Sequence, residues 1–167
     1  MPTSIQIGVI SDTHGRLHPS IPYLFRDVAY ILHAGDIGNA NIIHALEQIA
    51  PVYAVTGNVD WGTRLEEEFP RTLSLSIGGV DIYMTHIGGQ PRTWFYGLPL
   101  PHPRVVIFGH THEPLLEEHQ GILFLNPGTA GQPRYGGGLS VARLTIEKGQ
   151  PSAEIIVLDE GGMVDAL

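Results

Sequence analysis

The sequence predicts an α/β fold of two packed, mixed β-sheets flanked by helices, within a single domain. Three observations predict it. The first third alternates short apolar runs with helical patterns, and β-α-β-α-β is the order of parallel strands joined by right-handed crossovers. The remainder carries hairpin signals, which add antiparallel strands. The chain has 167 residues, enough for one domain that buries about two-thirds of its unfolded surface.

Ile5 to Ile10 is almost wholly apolar, the pattern of a strand covered on both faces. Leu17 to Ala29 can hold a helix whose start is limited by Pro19 and Pro22. Tyr30 to His33 is a second short strand. Asn41 to Ala50 sets Ile42, Ile43, Leu46 and Ile49 along one helical face, and Pro51 stops it. Val52 to Val55 is a third strand. Thr72 to Ile77 and Val80 to Thr85 flank Gly78-Gly79, a strong hairpin signal. Arg92 to Leu100 is aromatic and Pro-rich and fits neither period. Val105 to Phe108 is another buried strand. Leu115 to Glu118 and Ile122 to Leu125 flank a turn at Gln120-Gly121. Leu139 to Ile146 and Ala153 to Leu158 make a last hairpin across Glu147 to Ser152. The domain is expected to span residues 1–158, with Asp159 to Leu167 a poorly ordered tail.

Composition narrows the chemistry. There is no cysteine, so any metal must be held by histidine and by carboxylate or amide oxygen. Met1 to Gln6 does not read as a signal peptide, and no apolar run approaches the ~18 residues of a membrane span. The expectation is a soluble, cytoplasmic protein. Nine basic against 17 acidic residues give a net charge of −8, which offers no general attraction to a nucleic-acid polymer or an anionic membrane. A phosphate ester could approach such a chain only where local positive charge is supplied, as divalent cations would supply it.

Five of the apolar strands run into polar clusters. These are Ser11-Asp12-Thr13-His14-Gly15, His33-Ala34-Gly35-Asp36, Thr56-Gly57-Asn58-Val59-Asp60, Thr85-His86 and Gly109-His110-Thr111-His112. Ligands of an α/β sheet gather at the carboxyl ends of its strands, so five such clusters point to one site. Asp, Asn and His without thiolates suit Mn²⁺, Fe, Zn²⁺ or Ni²⁺. In Asp-x-His and His-x-His, both side chains of an extended segment face the same way.

Asp-x-His, Gly-Asn and Gly-His-x-His, with Gly-Asp and a lone His in their order, resemble the signature of the calcineurin-like metallophosphatases. The run SDTHG, HAGD, GNVD, TH, GHTH, NPGT is similar to the small prokaryotic phosphodiesterase branch of that superfamily, from about Ile7 to Ser140. The resemblance implies one divalent ion on Asp12, His14, Asp36 and His112 and a second on Asp36, Asn58, His86 and His110, with Asp36 shared. It makes Asp36, Asn58 and His86 catalytic, through a hydroxide between the ions that attacks a small phosphodiester in line. Manganese is the first expectation for the metal, with nickel, zinc or iron as alternatives. It also implies a possible homodimer. The competing reading is a non-catalytic scaffold for protein interaction on the same fold, like the retromer subunit that resembles this family.

Two departures from the resemblance matter. Val59 stands where many members carry a histidine that protonates the leaving oxygen; the small phosphodiesterase branch also lacks that histidine, so the departure fits the branch and leaves the acid unassigned. His86 is followed by Ile87-Gly88-Gly89 where relatives often have His-Gly-His. Arg92 and Arg134 are candidate contacts for substrate, since an Arg fork matches phosphate. Trp94, Phe95 and Tyr96 could stack on a base, fill a core or meet a second copy. His33 reads as a histidine of the core or behind the ligands. His18, His44, His102 and His119 read as surface residues, with His44 held in reserve as a proton donor. Glu66-Glu67-Glu68 reads as a solvated face. Asn126 to Thr129 is a turn, and the resemblance implies that it packs beneath the metal-bearing loops.

Overall fold

A computed structural model describes residues 4–133 and 137–158. Arg134 and the expected tail therefore lie outside the described residues. Strands β1 (Ile5–Ile10), β2 (Tyr30–His33) and β3 (Val52–Ala54) run parallel, and β9 (Leu139–Glu147) and β10 (Gln150–Leu158) extend their sheet antiparallel in the order β10-β9-β1-β2-β3. The second sheet has the order β4-β5-β6-β8-β7. In it β5 (Val80–Thr85), β6 (Val105–Ile107) and β8 (Ile122–Asn126) are parallel, while β4 (Thr72–Ile77) and β7 (Leu115–His119) are antiparallel. The expected architecture of two mixed sheets in one domain is what forms.

Three apolar layers follow from strand alternation. Ile7, Val9 and Leu32 of the first sheet meet Ile82, Met84, Val105 and Ile107 of the second between the sheets. On the outer face of the first sheet, Ile10, Ile31 and Val141 are covered by Ile42, Ile43 and Leu46 of helix α2 (Ala40–Glu47) and by Ile21 of α1 (Ile21–Leu24). On the outer face of the second, Val106, Phe108 and Phe124 are covered by Trp94 of α4 (Pro91–Trp94) and by Phe95. Trp94 and Phe95 are thus half-buried against the core, whereas Tyr96 is 82% exposed. No helix among the described residues is long and apolar enough to cross a membrane.

Several elements differ from their sequence-based expectation. The helix expected over Leu17 to Ala29 is a single turn with Pro22 in its first turn, where proline is tolerated. Helix α2 begins at Ala40, where the Asn39 side chain accepts from the Asn41 amide, and it ends before Ile49. A short helix α3 (Arg64–Glu68), capped by Thr63, was not expected; it carries the acidic run, with Glu67 and Glu68 exposed. The last hairpin turns over only Lys148-Gly149, so Gln150, Pro151 and Ser152 belong to β10. Proline is tolerated there because β10 is an edge strand.

Candidate metal centre

The carboxyl ends of β1, β2 and β3 in one sheet and of β5 and β6 in the other converge on one place. Backbone bonds tie four of the five loops in pairs: Asp12 N–H donates to Gly35 O at 2.9 Å, His14 N–H to Asp36 O at 3.0 Å, and Gly109 N–H to His86 O at 2.9 Å. Five of the seven expected metal-binding residues have left-handed backbone, with φ of 54° at Asp12, 49° at His14, 55° at Asp36, 76° at His110 and 67° at His112. Such conformations cost about 1–3 kcal/mol each in non-glycine residues and persist only where the surroundings enforce them.

The side chains aim at a common point. His112 Nε2 lies 3.3 Å from Asp12 Oδ1 and 3.2 Å from His14 Nε2. His14 Nε2 lies 3.6 Å from Asp36 Oδ2, and His86 Nε2 lies 3.2 Å from that same oxygen. Asp12, His14, Asp36 and His112 each offer a ligand atom, all within 4.8 Å of one another. These are the four side chains that the resemblance assigns to one ion. Of the other set, His86 meets Asp36 as above, and its ring stands edge-on to His110 with centroids 5.3 Å apart. Asn58 is exposed at the start of a 3-10 turn, Asn58–Asp60.

Second bonds fix which nitrogen faces inward. His86 Nδ1 lies 2.8 Å from Ala34 O and His112 Nδ1 lies 2.7 Å from Gln132 O. A carbonyl accepts only, so each Nδ1 carries the proton and each Nε2 presents a lone pair to the centre, the arrangement typical of metal-bound histidine. Asp36 Oδ1 accepts from Val59 N–H at 3.0 Å, which leaves Oδ2 for the centre. Asp12 Oδ2 accepts from Ser11 Oγ at 2.7 Å and from His110 N–H at 3.1 Å, which leaves Oδ1. Asp12 Oδ1 and His86 Nε2 are fully buried without a hydrogen-bonded partner, the close approach of His86 to Asp36 lacking the geometry of one. Buried polar atoms are rarely left so. A divalent cation fits this donor set, since it satisfies every inward-facing oxygen and lone pair at once.

The electrostatics agree. Burial is the largest influence on Asp12 and pushes its carboxyl up, but His112, His14, His86 and Ser11 together hold it well below the usual carboxylate range. Asp36 is likewise held down: burial opposes this, and the His86 contact and the Val59 amide outweigh it. Burial pushes His86 down, yet Asp36 and Asp12 raise it overall. The centre favours positive charge.

A ring of residues behind the ligands holds the loops in place. His33 is fully buried; its Nδ1 accepts from Gly35 N–H, and its Nε2 donates to Thr13 Oγ1, which donates to Ile37 O. Burial drives its pKa down from 6.5 to about 4, so it is a neutral clamp. Asp60, also buried, accepts from the amides of Ile37, Gly38 and Gly57 and so joins the Asp36 loop to the Asn58 loop. Gly57 must be glycine, since a Cβ there would collide with Asp36 Oδ1. Thr129 Oγ1 donates to Asp12 O, and Asn126 Nδ2 donates to Gly109 O and Thr111 Oγ1. The Asn126 to Thr129 loop therefore does pack beneath the ligand loops.

Sequence reasoning quoted Asp60 and Ser11 but gave neither a role; nothing in their spacing marks a carboxylate that collects three amides. His18 is a correction. It is 3% exposed and not on the surface, with Nδ1 accepting from Ser20 N–H. His44 and His102 are exposed, as expected. Arg92 is exposed and lines a wide hollow with Gln90, Thr93, Tyr96, His119 and Gln120, none of them an expected ligand.

Comparison with known proteins agrees with this geometry. The model of the calcineurin-like phosphoesterase superfamily domain matches residues 5–149. A probable metallophosphoesterase of Methanothermobacter thermautotrophicus is 38% identical over 160 residues, covering 90% of this chain and 91% of the relative. The solved structure of an archaeal phosphodiesterase superposes with a TM-score of 0.72 at 26% identity, covering 92% of this chain and all (100%) of that one. Vacuolar protein sorting 29 of Cryptosporidium parvum superposes with a TM-score of 0.73 at 21% identity, over 94% of this chain and 99% of its own, a likeness of fold.

Proposed function

We infer that this chain, which belongs to the calcineurin-like phosphoesterase superfamily, is a two-metal phosphodiesterase that hydrolyses a small diester. The observation that supports this most is the convergence of buried, unpartnered Asp12 Oδ1 and His86 Nε2 with the lone pairs of the other donors. In this reading Asp12, His14, Asp36 and His112 hold one ion and Asp36, Asn58, His86 and His110 the other, with manganese first among the candidates. When bound, the ions supply Lewis-acid charge for the phosphoryl oxygens and ionise the attacking water.

The chain's own residues then define what is cleaved. Asp36 is pinned by the Val59 amide, so its Oδ2 is presented in one orientation. His86 and His112 are each locked in one tautomer by a backbone carbonyl. Val59 is 45% exposed and brings no proton, so the leaving oxygen departs without a donor at that position. A positioned acid contributes about 10²–10⁴-fold, and without it esters with acidic leaving groups are favoured. Val59→His is expected to raise turnover of esters with poor leaving groups; an unchanged rate would mean that position 59 does not face the leaving oxygen. Arg92 is proposed to hold the far end of a longer substrate. Arg134 is proposed as a phosphate contact on its chemistry alone. The acidic balance of the chain favours a small substrate over a nucleic-acid polymer.

The test is hydrolysis of bis(p-nitrophenyl) phosphate and p-nitrophenyl phosphate by metal-stripped protein, with Mn²⁺, Ni²⁺, Zn²⁺ or Mg²⁺ returned. Metal-restored turnover that prefers the diester is expected. Bound ions with neither ester cleaved would overturn the reading in favour of a scaffold.

A further inference from the structure

A hollow of about 280 Å³ opens between the two loops that carry His86, His110 and His112. Its walls are Gly88 and Gly89, which follow His86-Ile87, and Thr111, which separates the two histidines of the other loop. Its floor is apolar, with Pro91, Phe108 and Leu115. Position 88 shapes one of these walls. A Cβ on Gly88 would stand 2.6 Å from Trp94 Cζ3 and 2.7 Å from Phe108 Cδ2, so no side chain fits while those rings pack edge-on at 5.2 Å. The aromatic pair fills the space that a side chain at position 88 would need, so this wall of the hollow is bare backbone.

We propose that this hollow binds the nucleoside arm of the diester substrate, with Glu113 selecting for a neutral arm that donates hydrogen bonds. The proposal rests on the phosphodiesterase reading above. The volume is at the lower end of ligand cavities, about 300 Å³, which suits one ring system and its sugar. The polar groups on the walls narrow the choice. Thr111 Oγ1 and the Asn126 amide are already committed to each other, to Gly109 O and to the backbone of Glu113 and Gly128. The exposed side chains of Glu113 and Gln90 remain on the rim. A carboxylate only accepts and repels anions, so the arm must bring N–H or O–H donors and no second phosphate. A nucleobase has both an apolar face for the floor and such donors on its edge. A bare alkyl arm has no such donors.

The experiment compares thymidine 5′-(p-nitrophenyl) phosphate with methyl p-nitrophenyl phosphate on the metal-loaded protein, because both release the same p-nitrophenolate. The thymidine ester is expected to have the higher kcat/KM, through KM. Gly89→Leu tests the hollow: its Cβ would lie 3.5 Å from Trp94 Cβ, an ordinary contact, so the fold accepts it. In that variant the thymidine-to-methyl ratio of kcat/KM should fall about tenfold, the scale of a blocked apolar subsite. Glu113→Gln should raise acceptance of the 3′-phosphorylated thymidine ester relative to the unphosphorylated one. A readout free of turnover is the amide NMR spectrum of metal-free protein at millimolar thymidine, where Gly88, Gly89 and Thr111 should shift. Equal kcat/KM for the two esters, or ratios unchanged in both variants, overturns the nucleoside subsite and leaves the phosphodiesterase intact. Cleavage of neither ester overturns both.

Discussion

Two regions of this molecule place non-glycine residues in left-handed backbone, and they do so for different reasons. Gln120 and Lys148 have φ of 52° and 55° and are each followed by a glycine with positive φ, Gly121 and Gly149. They are two-residue hairpin turns whose twist matches the strands they join. Asp12, His14, Asp36, His110 and His112 adopt the same conformation at the opposite kind of place, where strands run out into loops. No hairpin closes there. The five are held by amides of neighbouring loops, by His33 and by Asp60. In the hairpins the conformation is a local solution to a turn. At the centre it is imposed by tertiary contacts, and what it achieves is to aim side chains inward.

The comparison can be broken first at the side chains the strain serves. Asp36→Asn keeps an oxygen for the Val59 amide but loses the carboxylate proposed to be shared by two ions. Metal-restored diester hydrolysis should fall at least about a thousandfold, with the melting temperature little changed, the size expected for losing one essential stabilising group. Near-normal turnover in that variant would refute the shared role.

Asp60→Ala tests the imposed frame. It strands three amides, of Ile37, Gly38 and Gly57, and an unsatisfied buried donor costs about 1–3 kcal/mol. A loss of about 3–5 kcal/mol in denaturant unfolding is expected, together with weakened metal binding. A loss below about 1 kcal/mol would mean that the loops hold themselves.

His33 sharpens the same point through pH. Its folded pKa is depressed from 6.5 to about 4, so the unfolded chain takes up a proton that the folded chain refuses. The stability present above pH 6.5 is therefore lost as pH falls toward 4, by about 3 kcal/mol from this residue. His33→Gln should be less stable at pH 7 and flatter over that window. Parallel pH profiles for variant and parent would rule out a neutral, buried imidazole.

The smallest effect belongs to the hairpin. Lys148→Asn places a residue that tolerates left-handed backbone before Gly149, and should stabilise by up to about 1 kcal/mol with hydrolysis unchanged. A loss of activity there would contradict the separation of turn from centre.

The same contrast explains what the sequence displayed. A strand buried on both faces reads as an unbroken apolar run, so the polar clusters that end Ile5–Ile10 and Val105–Ile107 stand out, and the centre was visible as five such endings. Hairpins at Gly78-Gly79 and Gln120-Gly121 were visible because turn chemistry is local. The last hairpin was misjudged because Gln150-Pro151-Ser152 has the composition of a loop, and only its edge position lets it pair. Asp60 was given no role and His18 was placed on the surface for a different reason. Asp60 collects two of its three amides from the distant loop of Ile37 and Gly38, and His18 is buried with its ring turned back to the Ser20 amide, and a polar residue held in either way has no periodic signature. The hollow was equally hidden, since its walls come from segments apart in the chain, Gly88 to Pro91 and Phe108 to Asn126.

The most direct test of the account is calorimetric titration of Mn²⁺ into metal-stripped protein, with Asp36→Asn alongside. Two ions per chain are predicted for the parent, and a loss of affinity at both sites in the variant, because Oδ2 of Asp36 faces His14 and His86 alike. A single ion per chain, or a variant that binds as the parent does, would contradict a centre built on a shared carboxylate.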